Sequence, residues 1–164
     1  MTLLKSFLFI LIVPGTVTVL IPRAIVAYLG AGVLDFGPLA ALAIPLWALG
    51  AAGLAWCAWD FAKKGEGTPA PIDAPKKLVV SGLYRYVRNP MYVSALMILL
   101  GQFLWLGSRW VFAYMLFMFT AFHLFITNYE EPDLKRLFGA QFERYARAVP
   151  RWLPRFKAFS AGKH

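Results

Sequence analysis

Four apolar stretches, each long enough to cross a lipid bilayer, decide what this chain can become. Leu3 to Pro22 carries one charge, Lys5, close to its beginning; Pro38 to Trp59 and Met91 to Gly107 carry none; Trp110 to Asn128 carries only His123. About 20 apolar residues span the hydrocarbon core, with a usable range of roughly 17 to 25, so all four qualify as transmembrane helices. The third stands at the short limit. The chain as a whole is 60% hydrophobic and 15% charged, richer in apolar side chains than a soluble domain, where about half are apolar. The expected fold is an all-α integral membrane protein: four transmembrane helices with both ends cytoplasmic, then a C-terminal amphipathic cytoplasmic helix. All of 1–164 reads as one membrane domain, with two N-terminal helices in 1–60, a core at 76–154 containing a helical hairpin at 90–128, and a tail at 155–164.

The net charge of +9 invites a nucleic-acid reading, but the positions of the basic residues oppose it. Lys63, Lys64, Lys76, Lys77, Arg85 and Arg88 lie between the second and third runs, and eight more follow the fourth, from Lys135 to Lys163. With Lys5, that puts fifteen of the seventeen on one side of a four-span protein, leaving Arg23 and Arg109 on the other. A basic cytoplasmic face bordering membrane lipids accounts for this distribution, and no nucleic-acid reading module is present. The single cysteine, Cys57, excludes an intramolecular disulfide and a structural zinc site. The first run lacks a small-residue cleavage site before Pro22-Arg23 and reads as a mature helix.

Local signals refine this outline. Pro14-Gly15 predicts a kink in the first helix, and Gly30-Ala31-Gly32 breaks the outer connection after a short helical stretch from Ala24 to Leu29. The second run is studded with Ala and with Gly50 and Gly53, small residues that let helix backbones approach in lipid. Lys63 to Pro75, rich in Gly, Pro and charge, reads as a loop. Gly107-Ser108-Arg109 leaves at most a three-residue turn, so the third and fourth helices form an antiparallel hairpin. Pro132 and Asp133 begin another helix, with Leu134, Leu137, Phe138, Phe142 and Tyr145 as its apolar face. Pro150 to Pro154 ends it, and the tail from Lys157 is expected to be unstructured.

The chemistry gathers where Ser81 to Tyr92, a basic and aromatic segment, runs into the third helix. Asn89 suits an N-cap and Pro90 the first helical position, so the helix start would offer amide donors beside Arg85, Arg88, Tyr84, Tyr86 and Tyr92. The hairpin brings Glu130-Glu131, at the end of the fourth run, to the same membrane face. Together these groups can hold a ligand that is carboxylate at one end and ammonium or ribose hydroxyl at the other. The residues alone leave a second reading open: Arg and Tyr anchor helices at headgroups, and acids near a helix start complement its dipole.

The run Gly-Leu-Tyr-Arg-Tyr-Val-Arg-Asn-Pro-Met-Tyr, then Glu-Glu-Pro-Asp-Leu-Lys-Arg-Leu-Phe-Gly, Tyr145 and Val149-Pro150-Arg151, resembles the isoprenylcysteine carboxyl methyltransferase family and the related membrane phospholipid methyltransferases. The resemblance covers Lys76 to Pro154. It implies an integral-membrane enzyme using S-adenosylmethionine at its cytoplasmic face. Carried over by position, the cofactor-binding residues are Lys76, Lys77, Leu78, Val79, Tyr84, Asn89, Pro90, Met91, Tyr92 and Glu130, with Arg88 and Glu131 completing the two motifs. Asn89 stands where the family often has His and cannot titrate. The eukaryotic carboxyl methyltransferases place a substrate-contacting arginine at the position of Ile126.

Methyl transfer from a sulfonium needs a held acceptor lone pair and exclusion of water more than it needs protein acid–base groups. Where a base is required, Glu131, Tyr92 and His123 are the candidates, with Arg88 beside them; Ile126 and His123 would face the acceptor. Three readings follow. The first is methylation of a lipophilic acceptor that arrives from the bilayer, the second phospholipid ethanolamine N-methylation, and the third a non-catalytic membrane protein whose basic face binds lipid.

Overall fold

The computed structural model of the chain describes residues 12–30, 34–60, 63 and 78–160. Four long helices account for most of them: α1 (Ile12–Leu29), α2 (Gly37–Asp60), α3 (Pro90–Leu106) and α4 (Arg109–Ala148). No strand occurs among the described residues. Three of the helices, α1, α2 and α4, are long and apolar enough to cross a membrane; α3 is equally apolar but has 17 residues.

The structure shows how α1 accommodates Pro14, where a kink was expected. The helix widens into a π turn over Thr16–Leu20, and the Thr18 hydroxyl donates to the Pro14 carbonyl at 2.7 Å. A polar group inside lipid must find its partner within the protein, and Thr18, itself buried, supplies it. The helix then continues through Arg23 to Leu29, residues expected to lie mainly in the connection. It stops at Gly30, whose φ is +92°.

The seam between α2 and α3 is the tightest in the molecule. A Cβ added to Gly50 would stand 2.7 Å from the Ser94 carbonyl oxygen, one on Gly53 would strike the Ser94 hydroxyl, and one on Gly101 would stand 2.6 Å from Trp47 Nε1. With no hydrophobic drive between helices in lipid, close backbone approach supplies the attraction, and these glycines permit it. Trp47 packs against Trp105 with ring centroids 5.7 Å apart. Trp56 and Trp59 stay exposed, as a lipid-facing or interfacial ring would.

The hairpin of α3 and α4 is closed by Gly107 and Ser108 alone. Beyond the hairpin the fourth helix does not stop. A π turn at Ile126–Glu130 carries it without a loop into Glu131–Ala148. The separate amphipathic helix of the sequence reading is therefore the far half of α4. Its bend falls at Gly139, where φ is +47° and ψ −127°. Nothing lies within 4 Å of a Cβ there, so the glycine serves a backbone conformation that L side chains resist, rather than close packing. Past the bend, Phe142, Tyr145 and Val149 form a buried cluster with Leu78, Val80, Leu134 and Phe138. Leu137, expected on the same face, is half exposed.

Residues 149–160 are the main departure from expectation. They are irregular but tied down, running back along the segment before α3. Arg88 N–H donates to the Pro150 carbonyl at 2.9 Å, Arg155 N–H to that of Tyr86 at 3.0 Å, and Phe159 N–H to that of Arg85 at 2.9 Å. The tail expected to be unstructured from Lys157 is thus held as far as Phe159, whose ring meets Tyr145 at 5.8 Å; residues 161–164 lie outside the described ones. We call 149–160 the strap.

Candidate functional site

The site is assembled where α3 begins, where α4 passes through its π turn, and where the strap crosses both. A short 3-10 turn, Gly82–Arg85, leads into it from the end of α2. Gly82 sits at φ +51°, and any Cβ there would strike the carboxylate of the buried Asp60. Both the conformation and the space demand glycine. The turn buries Tyr84 against Cys57 and Val79, with Met91 packed on the same cluster. Tyr145 Oη donates to the Tyr84 carbonyl at 2.7 Å, joining the far half of α4 to the turn. Burial pushes the Tyr84 phenol well above its ordinary value, so it stays neutral.

Asn89 occupies the N-cap position of α3, but its side chain does not cap. It donates instead through Nδ2 to the Arg151 carbonyl at 3.2 Å. The residue is spent on holding the strap, and Pro90 behind it is buried.

The two adjacent glutamates do different work. Glu131 Oε1 accepts from Arg88 Nη1 at 2.8 Å and from Arg151 Nε at 2.9 Å, while its Oε2 accepts from Arg151 Nη2 at 2.7 Å. The Arg151 contact is bidentate, the strongest form of guanidinium–carboxylate pairing. Burial lowers Arg88 from its usual range, partly offset by Glu131, whereas the hydrogen-bonded contact with Glu131 raises the more exposed Arg151. Both oxygens of Glu131 are thus engaged by cations. It locks α3's approach, α4 and the strap together.

Glu130 is arranged otherwise. Tyr92 Oη donates to its Oε2 at 3.0 Å, and Oε1 carries no hydrogen bond from the described residues. Tyr92 in turn packs on Phe122 with ring centroids 4.8 Å apart. A half-buried carboxylate with one open oxygen beside aromatic rings suits hydroxyl or ammonium donors and a neighbouring cation.

Neighbours on a helix point about 100° apart, so Glu130 meets Tyr92 while Glu131 meets the arginines. The pair stands at the end of the π turn Ile126–Glu130. Its loosened carbonyls are satisfied locally: Thr127 Oγ1 donates to the His123 carbonyl at 2.8 Å and Asn128 Nδ2 to that of Leu124 at 2.8 Å. Such bulges recur at functional positions.

Of the residues singled out from the sequence, Tyr84, Arg88, Asn89, Pro90, Met91, Tyr92, Glu130 and Glu131 gather here, with Val79 under Tyr84 and Leu78 in the cluster below the strap. Lys76 and Lys77 lie outside the described residues. Ile126 is fully buried and offers no surface to a ligand. His123 is half-buried and stacks with Phe119 and Trp152; Trp152 Nε1 donates to its Nδ1 at 3.3 Å. Arg151 and Trp152 are the contributors that sequence reasoning passed over as partners, having read Pro150 to Pro154 as a helix stop. The two prolines bracketing a basic and an aromatic residue were the available signal.

Comparison with known proteins adds the following. The pattern of the phospholipid methyltransferase family matches residues 39–141, more than half of the chain. A protein of Crocosphaera subtropica named methanethiol S-methyltransferase is 30% identical over 82 residues, 49% of this chain and 30% of that protein. An uncharacterized protein of Haemophilus influenzae is 36% identical over 63 residues, 38% of this chain and the whole of that protein. The chain thus spans less than a third of the named methyltransferase it resembles. No solved structure matches.

Proposed function

This chain belongs to the phospholipid methyltransferase family, and we propose that it is a membrane methyltransferase using S-adenosylmethionine to methylate a lipophilic acceptor. One observation carries the reading: of two adjacent glutamates, Glu131 is consumed by Arg88 and Arg151, while Glu130 is presented by Tyr92 with an oxygen to spare.

The donor set fits the cofactor. Glu130 Oε1 would accept from its hydroxyls or its ammonium, the Tyr92 and Phe122 rings favour an adjacent cation, and the Arg88 side of the site favours its carboxylate. When bound, S-adenosylmethionine supplies a methyl already activated on a sulfonium centre. The work left to the chain is positional. Tyr92 orients Glu130, the Glu131 clamp fixes the strap, and the strap with Tyr84 and Phe122 keeps water from the reacting atoms. Asn89 cannot titrate, and both Glu131 oxygens already accept from guanidiniums. This arrangement suits an acceptor that brings a lone pair already free, as a carboxylate, a thiolate or an unprotonated amine does.

Similarity to a methanethiol S-methyltransferase over half the chain favours a thiol as a second acceptor class, and the family description keeps a phospholipid amine as a third. Membranes containing the full chain, incubated with methyl-labelled S-adenosylmethionine, are offered methanethiol, phosphatidylethanolamine and a prenylcysteine in turn. Label is expected in an organic-extractable product, lost in Glu130→Gln. Failure of the purified chain to bind either the cofactor or its demethylated product would remove the proposal.

A further inference from the structure

The strap sits at a depth that its irregular backbone would not suggest. With Arg109, stacked over Trp110 at 5.1 Å, set at one edge of the bilayer, the roughly 30 Å hydrocarbon core covers about 20 helical residues beyond it. That carries the core along α4 to the neighbourhood of Tyr129. Phe119 and His123 both fall inside it, and Phe119 lies eleven positions before Glu130, about 16 Å along the helix axis. Yet Trp152 of the strap meets Phe119 at 4.9 Å and His123 at 6.3 Å. The 17 residues of α3 rise only about 25 Å, short of the core thickness. The start of α3, which Asn89 ties to the Arg151 carbonyl, is therefore drawn below the headgroups as well.

Two further features agree. Non-helical backbone is tolerated at membrane depth only where the protein satisfies its polar groups, and the strap meets that condition where it crosses the segment before α3. The carbonyls of Ala148, Pro150 and Arg151 accept from Arg155, Arg88 and Asn89, and the amides of Arg155 and Phe159 donate to Tyr86 and Arg85. Meanwhile its outward side chains are apolar: Leu153 is 78% exposed and Phe156 is fully exposed. Lys157, next to Phe156, is exposed as well, and a lysine there can reach up to headgroups.

We infer that the strap is a membrane-embedded wedge, with Leu153 and Phe156 inserted among the acyl chains of the leaflet on the Glu130 side and with Lys157 at its anionic headgroups. The candidate site then opens beneath the headgroup layer. This inference is independent of the methyltransferase reading, because it concerns where the strap lies and not what the site binds.

The test uses the full chain in vesicles of phosphatidylcholine and phosphatidylglycerol, with Leu153→Cys and Phe156→Cys each carrying an environment-sensitive fluorophore. Both positions are exposed, and the native Cys57 is fully buried, so labelling falls on the new thiol. A reference label goes on Arg144→Cys, on the exposed face of α4's far half. The wedge labels should be quenched strongly by spin-labelled acyl chains, and several-fold less than the Arg144 label by aqueous iodide. Iodide quenching equal to that at Arg144 would overturn the inference. Shielding from both quenchers would overturn it too, since another protein surface would then cover the strap.

Discussion

Two parts of this molecule are held together by opposite means. The seam of α2 and α3 depends on atoms that are missing: Gly50, Gly53 and Gly101 leave the room that Ser94, Ile98 and Trp47 occupy. The pole around Glu130 and Glu131 depends on groups added, with three hydrogen bonds from two guanidiniums converging on one carboxylate. In lipid, apolar side chains gain nothing by leaving their surroundings, so fit decides. Where ions approach the hydrocarbon, desolvation makes any unpaired charge costly, so complete pairing decides. The lesson is that a change of shape damages the seam, whereas a change of charge damages the pole.

The contrast can be broken in order of expected effect. Glu131→Ala should cost about 3 kcal/mol of stability, somewhat under the figure for a fully buried pair because the partners keep some solvent contact; unfolding titration in detergent measures it. A loss under a few tenths would show that the clamp is ornamental. Next, Glu130→Gln is isosteric and leaves the clamp untouched, so cofactor binding should weaken about a hundredfold, ~2.7 kcal/mol. Calorimetry on the purified chain reads it, with the melting transition unchanged. Third, Gly53→Val keeps charge constant and inserts volume against Ser94; about 2 kcal/mol should be lost, and an unchanged unfolding midpoint would refute the close approach. The smallest is Trp152→Phe, which keeps the ring but removes the donor to His123. It should cost ~1 kcal/mol, and proteolysis of the strap would report it; greater lability in Gly53→Val than in Trp152→Phe would blur the distinction between the two regions.

How far the residues announced all this differs between the same two regions. Gly50 and Gly53 among alanines pointed to close helix approach without any partner being known, since small residues in a lipid-facing run have few other uses. The convergence of Arg88, Tyr92 and Glu130-Glu131 followed from Gly107-Ser108, because so short a turn forces the ends of two helices together. Which glutamate serves which partner did not follow. That depends on which groups the start of α3 and the strap bring to each carboxylate, and such distant contacts leave no trace in hydrophobic periodicity. Nor did the strap, because Arg151 and Trp152 find their partners 20 and 29 residues away.

The sequence by itself determined an all-helical chain with helices apolar enough for a membrane, the hairpin and the meeting of a basic helix start with paired acids, since each rests on local composition or on a chain too short to do otherwise. The tertiary structure decided the rest: that α4 runs unbroken through its π turn, that Gly139 bends it, and that the strap folds back to claim Glu131 and leave Glu130 open. These are competitions between distant partners for the same hydrogen bonds, and they are resolved only when all the partners are present in space.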